Sequence, residues 1–190
     1  MKAMASVIWW ICIVTWCAAI VAPGSAAIAA FTRLPAIEAT MPGIEAFFAE
    51  DPAGAGRFVA GYVTNPIFIA SDTACLACAI GIGIALLLGR GRPCGAGLSG
   101  MAAVGAAAIA SVILGWYLWQ VSPGLADSLG AWREAVLADD RSAADAAWSR
   151  FDPLHKTASR LLGIQFTMLM VAVITGAIAT TPKKRRTTRS

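Results

Sequence analysis

The sequence predicts an all-α protein, a bundle of four transmembrane helices with short amphipathic helices in its two outer loops. Of the 190 residues, 58% are hydrophobic and only 14% are charged, whereas a typical soluble domain has about 25% charged residues. The mean hydropathy is +0.69. The charges cluster in short stretches between four long apolar segments. None of these segments shows strand alternation, and in lipid a helix satisfies its own backbone hydrogen bonds.

The four apolar segments set the predicted helix boundaries. Each has about 20 residues or more, which is the length that a helix needs to cross a bilayer core. We predict one membrane domain over residues 1–182, followed by a basic tail over 183–190, with helices at about 6–31, 62–88, 98–121 and 153–181. The first segment also has the basic start and small-residue tail of a cleavable signal peptide. Because its apolar run continues to Phe31, we expect a retained helix.

Basic residues occur in three regions that four spans place on one side of the membrane. These regions are the start at Lys2, the turn with Arg90 and Arg92, and the tail 183–190. The two long loops, 32–61 and 122–160, carry more acidic than basic residues. Positive loops stay in the cytoplasm, so we expect a multi-pass protein of the bacterial cytoplasmic membrane with both termini inside. Since the tail is explained by topology, its charge does not indicate nucleic-acid binding.

The outer loops contain helix signals of their own. The pairs Asp51–Pro52 and Asp152–Pro153 each combine an N-cap residue with proline at the first helical position. Each pair predicts the start of a helix that runs toward the membrane. Between them an apolar stripe recurs at helical spacing and predicts an amphipathic helix on the outer surface or over the bundle. Its members are Leu125, Leu129, Trp132 and Val136.

Asp72 is the most informative single residue because it lies inside the second apolar segment. A carboxylate at the centre of a membrane costs about 2.5–3.5 kcal/mol, so it needs a polar partner in the bundle. Asn65 lies seven residues earlier on the same helical face. His155 and Ser159 lie on the same side of the membrane, near the fourth segment. We predict a polar cluster of these four residues, with Asp72 and His155 as a hydrogen-bonded or proton-exchanging pair. The alternative is a structural cluster that only fixes helix register.

Cys75 and Cys78 form a Cys-x-x-Cys motif that resembles the motif of four-helix membrane disulfide-generating enzymes. Those enzymes pass the disulfide to a second cysteine pair in an outer loop. The remaining cysteines of this chain, Cys12, Cys17 and Cys94, lie outside both outer loops. We therefore expect packing residues here, with a membrane thiol/quinone oxidoreductase as the alternative function. We predict no cofactor and no metal, because one histidine is too few for a haem or zinc site.

Small residues recur every four positions in three of the helices, which predicts close packing inside the bundle. They also suggest a homodimer through one such face as the partner besides the lipid bilayer. The stripes are Ala18, Ala22, Ala26 and Ala30; Ala77, Gly81 and Ala85; and Ser99, Ala103, Ala107, Ser111 and Gly115.

Three stretches carry a family resemblance: "APGSAAIAAFTRLP", "AGRFVAGYV" and "FDPLHKTASRLLGIQFTML". Together they resemble an uncharacterised bacterial four-helix membrane domain that is related to small eukaryotic transmembrane proteins. The family's last helix opens on a motif that stands here as Phe151, Leu154, His155 and Ser159. The resemblance implies a four-helix fold in the cell membrane and no particular activity.

Taken together, the residues favour a non-enzymatic integral membrane protein with no catalytic residues. We expect it to handle or sense a small solute or ion through the outward-facing polar cluster, or to scaffold a membrane partner.

Overall fold

The protein is all-helical over the residues that the structure describes. The computed structural model describes residues 2–91, 93–95 and 97–181. Its elements are α1 (Lys2–Ala36), α2 (Pro52–Leu88), α3 (Leu98–Trp116), a π turn (Tyr117–Val121), α4 (Ser122–Leu137) and α5 (Arg141–Thr180). These ranges contain no strand, so the predicted all-α class is confirmed. The predicted tail 183–190 and Arg92 lie outside the described residues.

Four helices are long and apolar enough to cross a membrane, and all four exceed the required length. They run over 34, 37, 40 and 40 residues, where α3, the π turn and α4 form one continuous helix. At 1.5 Å per residue these lengths are about 51–60 Å, against about 30 Å for a bilayer core. The surplus lies mainly at the end that carries residues 32–61 and 122–160, which we call the extension.

The bundle consists of two helical hairpins. α1 packs along α2, α3 and α4 pack along α5, and the two hairpins meet mainly where α1 touches α5. The contact between α2 and α3 is slight. Opposite the extension, Trp10 of α1 lies against Gly176 of α5, where an added Cβ would come within 3.3 Å of the ring. The helices therefore alternate in direction, with both chain ends opposite the extension.

Large side chains from α1 and small ones from α3 and α5 form the core of the bundle. Trp9, Ile13 and Trp16 are fully buried on one face of α1. They belong to one cluster with alanines of the other hairpin, namely Ala103, Ala106, Ala107, Ala110 and Ala172. Small residues let helix backbones approach in lipid, and here they also make room for the indoles. By contrast, Ala18 and Ala22 of α1 are exposed, so the predicted homodimer stays a prediction.

The extension has its own hydrophobic core, which joins the two hairpins. Ile44 of the 37–51 connection, Phe58 of α2 and Val136 of α4 are buried together there. Two arginines of the second hairpin also reach the first. Arg133 donates to the Gly61 carbonyl at 3.0 Å and lies 5.1 Å from the Tyr62 ring centroid.

Arg141 repeats this arrangement at the α4–α5 turn. It donates to the Phe47 carbonyl at 2.8 Å, and its guanidinium carbon lies 4.8 Å from the Phe47 ring centroid. Both contacts combine a charged hydrogen bond with a cation–π interaction. Two arginines and the apolar core of the extension therefore join the two hairpins at this end.

One of the two predicted helix starts is confirmed, and the other is wrong. Asp51 caps α2, since its carboxylate accepts from Gly54 N at 2.8 Å. Asp152 and Pro153 instead lie inside α5, which begins at Arg141 with Asp140 as its N-cap. Asp152 pairs with Lys156 at 2.6 Å. The helix continues through Pro153 because packing of its first turns on α4 outweighs one lost backbone hydrogen bond.

The predicted short outer helices are also different in the structure. The helix with the Leu125–Val136 stripe exists as α4, but it continues α3 through the π turn and does not stand alone. The 37–51 connection consists of turns. Both differences have one cause, since the long helices continue past the apolar segments into the extension and pack on each other there.

The π turn follows from Pro123. Proline has no backbone N–H, and its ring clashes with the carbonyl four residues earlier, which here belongs to Trp119. The chain adds one residue to this turn, so the Ser122 N–H donates to the Tyr117 carbonyl, five residues back. Tyr117 itself stays in the α register of α3, since its N–H donates to the Ile113 carbonyl, so the extra residue sets the rotation of α4 relative to Tyr117.

We predict that Arg133→Met lowers the free energy of unfolding by about 1.5–3 kcal/mol, the range for a hydrogen bond to a charged group. Arg57→Met is the matched control, because Arg57 makes an exposed 3.2 Å ion pair with Asp51 and such pairs contribute about 0–1 kcal/mol. Denaturant unfolding in detergent micelles measures both. Equal losses would show that Arg133 does not join the hairpins.

Candidate functional site

The one inter-helical hydrogen bond of Asp72 in the described part of the chain comes from Tyr117. The Tyr117 hydroxyl donates to Asp72 Oδ2 at 3.1 Å. Asp72 lies on α2 and Tyr117 opens the π turn, so this bond joins the two hairpins where α2 and α3 barely touch. Tyr117 is 9% exposed and Asp72 is half-buried. The carboxylate therefore lies, partly accessible, at the contact between the hairpins.

Other polar side chains anchor the helices at about the same depth. Ser71, next to Asp72, donates to the Ala19 carbonyl of α1 at 2.6 Å. Gln165 of α5 is 1% exposed, and its amide lies 3.5 Å from the Ala110 carbonyl of α3. These bonds hold each hairpin together internally, whereas the Tyr117–Asp72 bond crosses between them.

The predicted direct pair of Asp72 and His155 is not present. In the described residues of α2 and 97–181, no hydrogen bond or ion pair joins Asp72 to His155. Asp72 lies 16 residues before the end of α2, and His155 lies 25 residues before the end of α5. At 1.5 Å per residue these positions are about 24 Å and 37 Å from the end of the bundle that lies opposite the extension. His155 is thus about 13 Å farther from that end than Asp72 and lies in the extension.

His155 ends a row of aromatic rings in the extension. Its ring stacks on Phe151, with 5.3 Å between the centroids and 18° between the planes. The row continues through Trp148, Trp132 and Phe58 toward the 37–51 connection. His155 is exposed. The aromatic row accounts for the packing of its ring, and the row does not extend to Asp72.

The two supporting residues of the predicted cluster do not join Asp72 either. The Ser159 hydroxyl donates to the carbonyl of His155 in its own helix at 2.9 Å. Asn65 is half-buried and lies two turns above Asp72 on α2, about 10 Å away along the axis. Of the four predicted site residues, the structure therefore places only Asp72 in a contact between the hairpins.

Cys75 and Cys78 are buried free thiols on α2. They lie in the core cluster that contains Trp9 and Trp16, and Cys12 lies against Gly81, one turn further along. The buried positions of Cys75 and Cys78 are those expected of residues that fill the core. The oxidoreductase alternative stays a prediction. Among the described residues, no group of three or more His, Cys, Asp or Glu side chains is arranged so that it could hold a metal ion.

Tyr117 is the site residue that the sequence analysis missed. It is one of two tyrosines in the chain and lies 19 residues after Leu98, the first residue of α3, and so about 28 Å from the end opposite the extension. Counting helical rise from the loops would have placed it near the depth of Asp72. The π turn that Tyr117 opens is signalled by Pro123, which follows six residues later.

The arrangement can hold one proton at a defined place. An ionised carboxylate only accepts hydrogen bonds, whereas a protonated one also donates. With Tyr117 as donor, Asp72 Oδ2 is satisfied, and Oδ1 is left to take up a proton.

No protein-family model, no curated protein and no solved structure matches this chain. The family resemblance of the three stretches therefore stays an expectation, and function is argued from the site alone.

A double-mutant cycle will identify the true partner of Asp72. We expect Asp72→Ala and Tyr117→Phe to be coupled by about 0.5–3 kcal/mol in the free energy of unfolding, because the residues are in contact. Asp72→Ala and His155→Ala should add within about 0.3–0.5 kcal/mol. Strong coupling of the second pair would restore the contact predicted from the sequence.

Cys94 gives a test of the fold in the 89–97 turn. Burial raises the pKa of its thiol to about 12, and the thiolate is the reactive form. We expect maleimide labelling of Cys94 to be far slower at neutral pH than labelling of a cysteine introduced by Thr181→Cys, an exposed site at the same end. The rate should keep rising with pH beyond pH 9, where an ordinary thiol of pKa about 8.5 is already ionised. Equal rates would mean that this turn is open.

Proposed function

We propose that the chain is a non-enzymatic, multi-pass membrane protein that binds and senses a proton at Asp72. The observation that carries the proposal is the 3.1 Å bond from Tyr117 to Asp72 across the joint of two hairpins. An ionisable residue inside a membrane span is costly and is retained mainly for function. π turns inside helices are frequent at functional sites as well.

The exposed aromatic residues support a position of the site near a membrane surface. Trp116 and Trp119, close to Tyr117, are 51% and 80% exposed, and tryptophan prefers the interface between hydrocarbon and water. Asp72 would then lie just inside the hydrocarbon boundary on the extension side, within a short distance of water.

The proposal includes the orientation. Basic residues at Lys2, Arg90 and the tail favour a bacterial cytoplasmic membrane with both termini inside. The extension, with its acidic balance, then faces the outside. Under this orientation Asp72 responds to the pH outside the cell.

Infrared difference spectroscopy in lipid nanodiscs tests the proton site. We expect the pH-dependent protonated-carboxyl C=O bands of the wild type to include one band that is absent in Asp72→Asn and is thereby assigned to Asp72. Tyr117→Phe should shift the band, since a hydrogen bond to the carboxyl group is lost. Asp152→Asn, which removes a half-buried carboxylate paired with Lys156 in the extension, is the matched control and should retain the band.

Two results would contradict the proposal. If the spectra of the wild type and Asp72→Asn had the same pH-dependent bands, no proton uptake would be assigned to Asp72. A band that is lost in Asp72→Asn but does not change with pH in the wild type would mean that Asp72 keeps one protonation state and is structural.

A further inference from the structure

The helix formed by α3, the π turn and α4 contacts α2 at two levels, on either side of the π turn. On the α3 side, Tyr117 donates to Asp72. On the α4 side, Arg133 donates to the Gly61 carbonyl, and Trp132 lies 5.1 Å from Phe58 between ring centroids. A single rotation of this helix about its axis must bring Tyr117 to Asp72 and Arg133 to Gly61 at the same time.

The π turn makes that rotation possible. A π turn holds one residue more than an α turn, and an α-helix rotates 100° per residue. If the turn became α-helical with α3 fixed, each residue of α4 would advance into the place now held by the next residue. Arg133 would move to the exposed place of Glu134 and would lose Gly61.

The core of the extension would change in the same way. Val136, fully buried, would move to the place of Leu137, which is 52% exposed. Glu134, which is exposed, would move into the buried place of Ala135. The π turn is therefore stabilised on the α4 side by the packing of the extension and on the α3 side by the Tyr117–Asp72 bond.

We propose that the π turn couples Asp72 to the extension, so that loss of the Tyr117–Asp72 bond releases the contacts of α4 with α2. The inference rests on the proposed function in making protonation of Asp72 the trigger, because the Tyr117 hydroxyl bonds a neutral carboxyl group more weakly than a carboxylate. The coupling itself follows from the shared register. Sensing at Asp72 then has an output, which is the rotation of α4 in the extension.

Thiol labelling at two neighbouring positions detects this rotation. The full chain in nanodiscs carries either Glu134→Cys or Val136→Cys, and peptide mass spectrometry separates these sites from the native cysteines. In the wild-type background, we expect fast labelling at position 134 and slow labelling at 136. In Tyr117→Phe, labelling should become slower at 134 and faster at 136, by about 5- to 150-fold, the usual range of coupling between two sites.

Pro123→Ala tests the joint without touching Asp72. Alanine restores the N–H that the Trp119 carbonyl lacks, which favours the α register, so the same opposite changes at 134 and 136 are expected. If they occur while the infrared band of Asp72 is absent, the proposed function fails and the coupling stands.

Ser71→Ala is the control, because it removes a hydrogen bond within the first hairpin and leaves the joint intact. Both labelling rates should stay at the wild-type values in this variant. The proposal is overturned if Tyr117→Phe and Pro123→Ala leave both rates unchanged, or if the two rates rise together, which is the signature of ordinary local unfolding.

Discussion

The structure depends on how two helical hairpins are held side by side. Within a bilayer there is no hydrophobic force between helices, because lipid tails are as apolar as the side chains. The slight contact between α2 and α3 therefore supplies little. In the extension, beyond the apolar segments, burial of Ile44, Phe58 and Val136 drives association as it does in a water-soluble protein. The extension joins the hairpins, and the length of its helices gives it the surface to do so.

The sequence was sufficient for the spans, since apolar length alone defines them. It also gave the start of α2, because Asp51 caps the helix through a purely local contact. It failed at Asp152, where the same local signal is overridden by packing of α5 on α4. Local capping contributes about 1 kcal/mol, and a long packed hairpin contributes more. The π turn was missed because its cause, Pro123, also suits an ordinary helix start.

The site was half predictable for a related reason. Asp72 stands out by its cost in lipid, which is a property of one residue and its segment. Its partner depends on the relative depth and rotation of two helices. His155 was expected near Asp72 because both lie on the same side of the predicted spans, whereas α5 continues into the extension as one long helix. Tyr117 lies at the right depth, and the rotation of the α3 helix, which apolar length does not define, brings it to Asp72.

The position of the carboxylate explains why a polar group is tolerated in so apolar a bundle. A hydrogen bond inside one hairpin, such as that from Ser71 to Ala19, adds to contacts that are already extensive. A bond between hairpins acts where packing is weakest, so its gain or loss changes the balance between two arrangements. A titratable group has most influence at such a joint. Asp72, the one carboxylate of the second apolar segment, lies at this joint. The extension, whose rotation we propose it controls, lies next to it.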